Sequence, residues 1–320
     1  MPLSFLLTTH LPLLTHLKMA YIPVRGVEHY YEWIRTPGNE GKPVMVFVHG
    51  WAGSARYWQS TANALSEQFD CLLYDMRGFG RSHGKSALPK DSLAVADSQS
   101  PQEQSEAIAQ LTYEMEDYAE DLAALLDALQ LKRVYLNAHS MGASVATLFL
   151  NRYPERVEQA ILTCSGVFEY EEKSFTTFHK FGGYVVKFHP KWLAKIPFVD
   201  QMFMARFLHR PIPAAERRSF LQDFLVADYE AALNTIFTSV SKAAAELMPQ
   251  EFARLSVPTL LVAGEYDKII PAQMGRQAAA MSEKVEYALI PNTAHFPMLE
   301  DPDTYLQRVR EFLQLPAPGA

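Results

Sequence analysis

Val134-Tyr-Leu-Asn-Ala138-His139-Ser140-Met141-Gly142-Ala143-Ser-Val145 runs a buried strand straight into a helix of small residues, with a serine at the junction. A serine so placed sits on a sharp, strained turn with its hydroxyl exposed above the sheet. Ala138 and Gly142, two residues either side, are small enough for the turn to approach its neighbours closely. The helix start behind it offers the Met141 N–H and a dipole that favours developing negative charge. The plainer alternative is a serine N-cap.

Working outward, further apolar runs predict strands at Val44–Val48, Cys71–Tyr74, Arg133–Ala138, Gln159–Thr163, Thr259–Ala263 and Glu286–Ile290. Such continuous runs suit strands buried on both faces. Helical patterns separate them at Tyr57–Leu65, Tyr113–Leu129, Ala143–Arg152, Pro271–Met281 and Pro302–Leu313. Val24–Ile34 reads as an opening strand pair around a glycine turn. The alternation predicts an α/β fold: a mostly parallel sheet with helices on both faces. Two stretches interrupt it. Ser82–Glu106 is polar and reads as a mobile surface insertion. Phe168 to about Met248 has helical patterns and no strand-like run, and reads as an inserted helical module.

Two more segments bear on the serine. Thr259–Pro271 ends a buried strand with Asp267 just beyond it, and Leu289–Met298 places His295 in the loop after the next strand. Catalytic groups gather beyond the carboxyl ends of parallel strands, so all three fall at one edge of one sheet. A serine hydroxyl is a weak nucleophile. It needs a base to take its proton, and the base needs an acid to fix its tautomer. Ser140, His295 and Asp267 supply these roles. Glu265, two residues before Asp267, is the rival acid. His139 reads as packing, and His179, His189 and His209 as solvated or structural. No HExxH, CxxC or clustered His/Asp pattern suggests a metal, and no cofactor is expected.

The chain resembles the α/β-hydrolase fold family, specifically its small serine members with a helical cap. The likeness runs from about Val24 to Leu313 and rests on His49-Gly50-Trp51, Asp75-Met-Arg77-Gly78-Phe-Gly80-Arg-Ser82, Ala138-His-Ser140-Met-Gly142, Gly264-Glu-Tyr-Asp267 and Ala294-His295-Phe-Pro. The elbow departs from the family pattern in carrying Ala138 where glycine is usual. The resemblance implies an oxyanion hole made by the backbone N–H groups of Trp51 and Met141. It also implies a structural role for His49, Gly50 and Gly142, and a bracing turn at Asp75 and Arg77. Ser140 stands where dehalogenase and epoxide-hydrolase members carry aspartate. The domains expected are an extension at 1–20, a core of 21–166 and 249–315, a cap of 167–248, and a tail at 316–320.

Lys and Arg number 29 against 36 Asp and Glu, a formal charge of −7, which argues against nucleic-acid binding. Cys71 and Cys164 cannot form a disulfide framework, and the chain reads as cytoplasmic. Met1–Leu17 is apolar-rich but lacks the basic start of a signal peptide, so export or membrane association stays open, as does initiation at Met19. The segment from Phe168 to Met248 carries 15 of the 38 aromatic residues, which suits an apolar pocket over the serine. Its basic residues, Lys180, Lys187, Lys191, Lys195, Arg206, Arg210, Arg217 and Arg218, interleave with aromatics. This predicts a weak contact with an anionic membrane surface. The expected function is serine hydrolysis of a carboxylic ester with an apolar acyl part. Thioesterase, lactonase, C–C bond hydrolase, perhydrolase or haloperoxidase-like and acyltransferase chemistry stay open, as does a slow-turnover receptor, because fold does not choose among them. Oligomeric state is not legible.

Overall fold

Among the described residues an eight-stranded sheet organises the fold, in the order β1-β2-β4-β3-β5-β6-β7-β8. The structure, a computed structural model, describes residues 18–38, 41–85 and 101–316. The expected leader at 1–17, the middle of the polar insertion and the last four tail residues lie outside them. The strands are β1 (Lys18–Val24), β2 (Val27–Ile34), β3 (Val44–Val48), β4 (Asp70–Tyr74), β5 (Val134–His139), β6 (Val157–Thr163), β7 (Thr259–Gly264) and β8 (Val285–Ile290). The first strand therefore begins at Lys18, and residues 18–20, set with the extension from sequence, pair with β2. Arg25 and Gly26 both take positive φ, 48° and 84°, as a tight hairpin requires. β1, β2 and β4 pair antiparallel, and the remaining pairs are parallel.

The helices are α1 (Gln59–Leu65), α2 (Pro101–Gln110), α3 (Met115–Ala128), α4 (Met141–Arg152), α5 (Glu172–Lys187), α6 (Val199–Met204), α7 (Ala214–Val226), α8 (Tyr229–Ser239), α9 (Lys242–Ala253), α10 (Ala272–Ala279), α11 (Pro297–Glu300) and α12 (Pro302–Phe312). The apolar runs are explained by burial on both sides. Val46 and Val48 enter one cluster with Leu122, Leu126, Val145 and Phe149 of α3 and α4. Met45 and Phe47, between them, enter another with Leu65, Tyr305 and Val309 of α1 and α12. One difference from the sequence reading concerns α2, which occupies part of the stretch expected to be mobile. Its Ile108 packs with Leu111 against Val27 of β2. That anchor lies outside the polar run, so composition alone did not show it.

Five helices, α5 to α9, lie between β6 and β7. The boundary placed at 248/249 falls inside α9, which is continuous and packs on α4 and α10. Asp223 of α7 ties this segment to the loop after β3. Its Oδ2 accepts from Ser54 Oγ at 2.5 Å, and its Oδ1 lies 3.2 Å from Arg56 Nη1. Burial pushes the Asp223 carboxyl up to about 6, against the opposing pull of the Ser54 bond and the Arg56 charge. Folded Asp223 thus keeps its proton in a window where the unfolded chain has released it. Its contribution to stability is present below pH about 4 and is lost as pH rises to about 6, amounting to at most about 3 kcal/mol. Thermal melts across that window are expected to show the parent losing stability with rising pH relative to Asp223→Asn; parallel profiles would contradict the assignment.

Candidate active site

The loops after β5, β7 and β8 bring Ser140, Asp267 and His295 together at the carboxyl edge of the sheet. Ser140 stands between β5 and α4 with φ 53° and ψ −123°. Its N–H donates to Thr163 O at 2.9 Å. Gly142 is needed here by contact, because a Cβ would lie 2.3 Å from the His49 carbonyl oxygen. Asp267 Oδ1 accepts from the amides of Ile269 and Ile270 at 2.7 and 3.1 Å. Its Oδ2 is 2.7 Å from His295 Nδ1. Burial would raise the Asp267 carboxyl, but the His295 interaction and the two amides outweigh it and hold the group below its ordinary value. An ionised carboxylate can only accept, so Nδ1 carries a proton, and in the neutral imidazole Nε2 then presents its lone pair. Ser140 Oγ lies 3.0 Å from that Nε2. His295 and Asp267 are buried, whereas Ser140 is half-buried. The arrangement can draw a proton from a hydroxyl and hold it beside a fixed negative charge.

The other residues singled out from sequence divide. His49 Nδ1 donates to Gly50 O at 2.8 Å, and its Nε2 accepts from Met76 N–H at 2.8 Å. Among the described residues no hydrogen bond engages the amides of Trp51 or Met141. The Trp51 indole turns away, donating to Ala232 O of α8 at 3.0 Å. Asp75 braces the loop after β3, accepting from Ala55 N–H and Arg81 N–H at 2.8 Å each. Arg77 does not join it; its Nε donates to Asp121 of α3 at 2.7 Å. Glu265 is exposed and accepts from Asn292 N–H, whereas His295 Nδ1 is engaged by Asp267. His179 and His189 bond to the carbonyls of Val240 and Val186, and the ring of His209 lies 4.3 Å from that of Tyr266.

His139 does more than pack. Its Nε2 is 2.7 Å from His295 O, and a carbonyl can only accept, so Nε2 carries the proton. Its Nδ1 then accepts from Tyr57 OH at 3.0 Å, and Tyr57 accepts from Gly50 N–H at 2.5 Å. Burial holds the His139 ring well below its ordinary value and so neutral. On its other side the His295 backbone N–H donates to Phe207 O, in the helical segment, at 2.9 Å. Glu300 joins the same two loops. It accepts from Ala294 N–H through Oε1 and from the amides of His209 and Arg210 through Oε2. Tyr57, Phe207 and Glu300 are not singled out by the sequence, because their partners lie 82 or more residues away or are backbone groups of other loops, and no local pattern marks them. His139, Cys164 and His295 place ligand-type atoms within 4.8 Å of one another. They do not fit a metal: both nitrogens of each histidine are engaged, and burial keeps the thiol protonated by pushing it well up.

Tyr57→Phe leaves the Gly50 amide and His139 Nδ1 without partners. Each orphaned group costs about 1–3 kcal/mol, and displacement at a reacting centre lowers rate steeply. Turnover per titratable serine is expected to fall about 10- to 100-fold with KM little changed. A drop in melting temperature with unaltered turnover per titrated site would show the link to be structural only.

The family model for the alpha/beta hydrolase fold matches residues 43–302. The uncharacterised hydrolase YugF of Bacillus subtilis (strain 168) is 24% identical over 301 residues, covering 91% of this chain and 96% of its own. The carboxylesterase YbfK of the same organism is 25% identical over 291 residues, covering 86% and 82%. A thermophilic esterase from Thermogutta terrifontis superposes with a TM-score of 0.66 at 23% identity, covering 93% of this chain and 98% of that one. Sheet order, the turn at Ser140 and the span of the family match agree: the chain belongs to the α/β-hydrolase fold family.

Proposed function

We propose that the chain is a serine hydrolase cleaving carboxylic esters with a largely apolar acyl part through an acyl-enzyme. The carrying observation is the hydrogen-bonded series Ser140 Oγ–His295 Nε2–Asp267 Oδ2, at 3.0 and 2.7 Å. Ser140 Oγ attacks the ester carbonyl carbon while His295 Nε2 takes its proton. Asp267 orients the ring and stabilises the imidazolium. The carbonyl oxygen becomes an oxyanion, received by the unengaged amides of Trp51 and Met141. Collapse breaks the ester C–O bond, and His295 returns the proton to the leaving alcohol. Water, deprotonated by His295, then attacks the acyl-enzyme and releases the acid and Ser140. The route draws on no group beyond the chain and water.

The segment α5–α9 is assigned as a cap over this centre. Phe207 lies 6.0 Å, ring to ring, from His295, and Phe203 packs against Phe220 and Phe224. Walls of this kind favour an apolar acyl chain over a charged one. The carboxylesterase YbfK and the Thermogutta terrifontis esterase among the similar proteins support an ester substrate.

A p-nitrophenyl ester series from acetate to palmitate tests the reading. Turnover is expected to peak at one chain length and to fall by at least about 10⁴-fold in Ser140→Ala. Equal turnover in both proteins, or none in a parent whose Ser140 labels with a fluorophosphonate, would overturn the ester assignment.

A further inference from the structure

We propose that the outer face of the helical segment, from Tyr184 to Met202, docks on the surface of an anionic lipid bilayer. The observation is a repeat: Lys187-Phe188, Lys191-Trp192 and Lys195-Ile196 place a lysine beside a large apolar residue every fourth position. Phe188 is 67% exposed, Trp192 53% and Ile196 42%, and Tyr184 precedes them at the same spacing. The series continues through Phe198 and Met202, also exposed. Phe198 holds φ 63°, a conformation that costs a bulky residue energy, and yet its ring is left in water. Scattered apolar residues on a surface need no account, whereas neighbouring ones do, and the rings of Phe188 and Trp192 lie 6.5 Å apart.

Charge selects the occupant. Residues 173–199 contain five lysines and no acidic residue, in a chain whose formal charge is −7. Lys187, Lys191 and Lys195 are exposed, and among the described residues none of the three forms an ion pair. The nearest acid downstream, Asp200, is taken by Arg217 at 3.0 Å. Tryptophan and tyrosine favour the headgroup level of a bilayer, and lysine stems can lie along apolar surface with the ammonium among anionic headgroups. A protein partner would meet the same aromatics, but the absence of any acid from 173 to 199, with Asp200 held by Arg217, matches a uniformly negative plane better than a mixed surface. The inner side of the same elements is already occupied: Val186 is buried, and Val185, Leu193 and Val199 pack against Ala52, Leu221 and Phe224. The outer face is therefore free while the fold is intact. No helix among the described residues is long and apolar enough to cross a membrane, so the contact is superficial. The proposal does not depend on the chemistry assigned to Ser140.

Full-length protein is sedimented with vesicles of phosphatidylcholine alone and of phosphatidylcholine mixed with phosphatidylglycerol. Three variants run alongside: Phe188→Ser/Trp192→Ser/Ile196→Ser, Lys187→Gln/Lys191→Gln/Lys195→Gln, and Trp192→Phe for the emission measurement. The parent is expected to bind the anionic vesicles, to release them as salt is raised, and to show a blue shift of emission that Trp192→Phe removes. Each lysine contributes roughly fivefold to partitioning, so the lysine variant is expected to bind about a hundredfold more weakly. The apolar variant is expected to stay in solution. Far-ultraviolet circular dichroism and melting temperatures equal to the parent's show that the variants are folded. Three results would overturn the proposal: a parent that stays in solution with both vesicle types, binding that neither the apolar nor the lysine variant alters, or an apolar variant whose only change is loss of self-association in sedimentation equilibrium. The last would assign the face to a second copy of the chain.

Discussion

Ser140 is held at φ 53° and ψ −123°, where a residue other than glycine is strained by roughly 1–3 kcal/mol, and the surrounding contacts keep it there. Its N–H bonds to Thr163 of the neighbouring strand, and its carbonyl accepts from Ala143 and Ser144 at the start of α4. The helix start is pressed against the loop after β3, so closely that only glycine fits at 142. A parallel sheet is what makes this possible. Every strand from β3 to β8 ends at the same edge, and the turn, the loop at Gly50 and the loops of Asp267 and His295 meet there.

The histidine loop is restrained from both sides of its own backbone. His139, adjacent to the serine, holds the His295 carbonyl, and Phe207 of the helical segment holds its amide. Through Tyr57 the first of these reaches the Gly50 amide. The loop bearing Trp51 and the loop bearing His295 are thus joined by one buried series of hydrogen bonds, with donor directions settled by the two groups that can act in only one sense. Glu300 adds a second tie to the helical segment. Movement of that segment relative to the sheet would pull directly on the backbone of His295.

Much of this is legible in the sequence. Strands such as Val44–Val48 announce themselves because burial on both faces leaves no position for a polar residue. Ser140, Asp267 and His295 were legible for a different reason. Each lies just past a recognisable strand, and the geometry of parallel sheets does the rest. The hairpin at Arg25-Gly26 was visible as a glycine turn, but the start of its first strand was not, since Lys18-Met19-Ala20 carries no β pattern of its own. The helix α2 was hidden for the opposite reason. Its polar composition suits solvent, and it is secured by Ile108 packing on a strand far away in the chain.

What local sequence determined by itself was the alternation of strand and helix, the identity of the three groups beyond the strand ends, and the basic, aromatic character of 173–199. These follow from patterns a few residues long. The tertiary structure alone decided which polar side chains serve the histidine loop and which faces of the helical segment are covered. Tyr57 meets His139 across 82 residues, Glu300 meets His209 across 91, and Asp223 meets Ser54 across 169. No local pattern encodes such pairs, because a hydrogen bond depends on where two groups lie in space, and only the closed fold brings these within reach of each other.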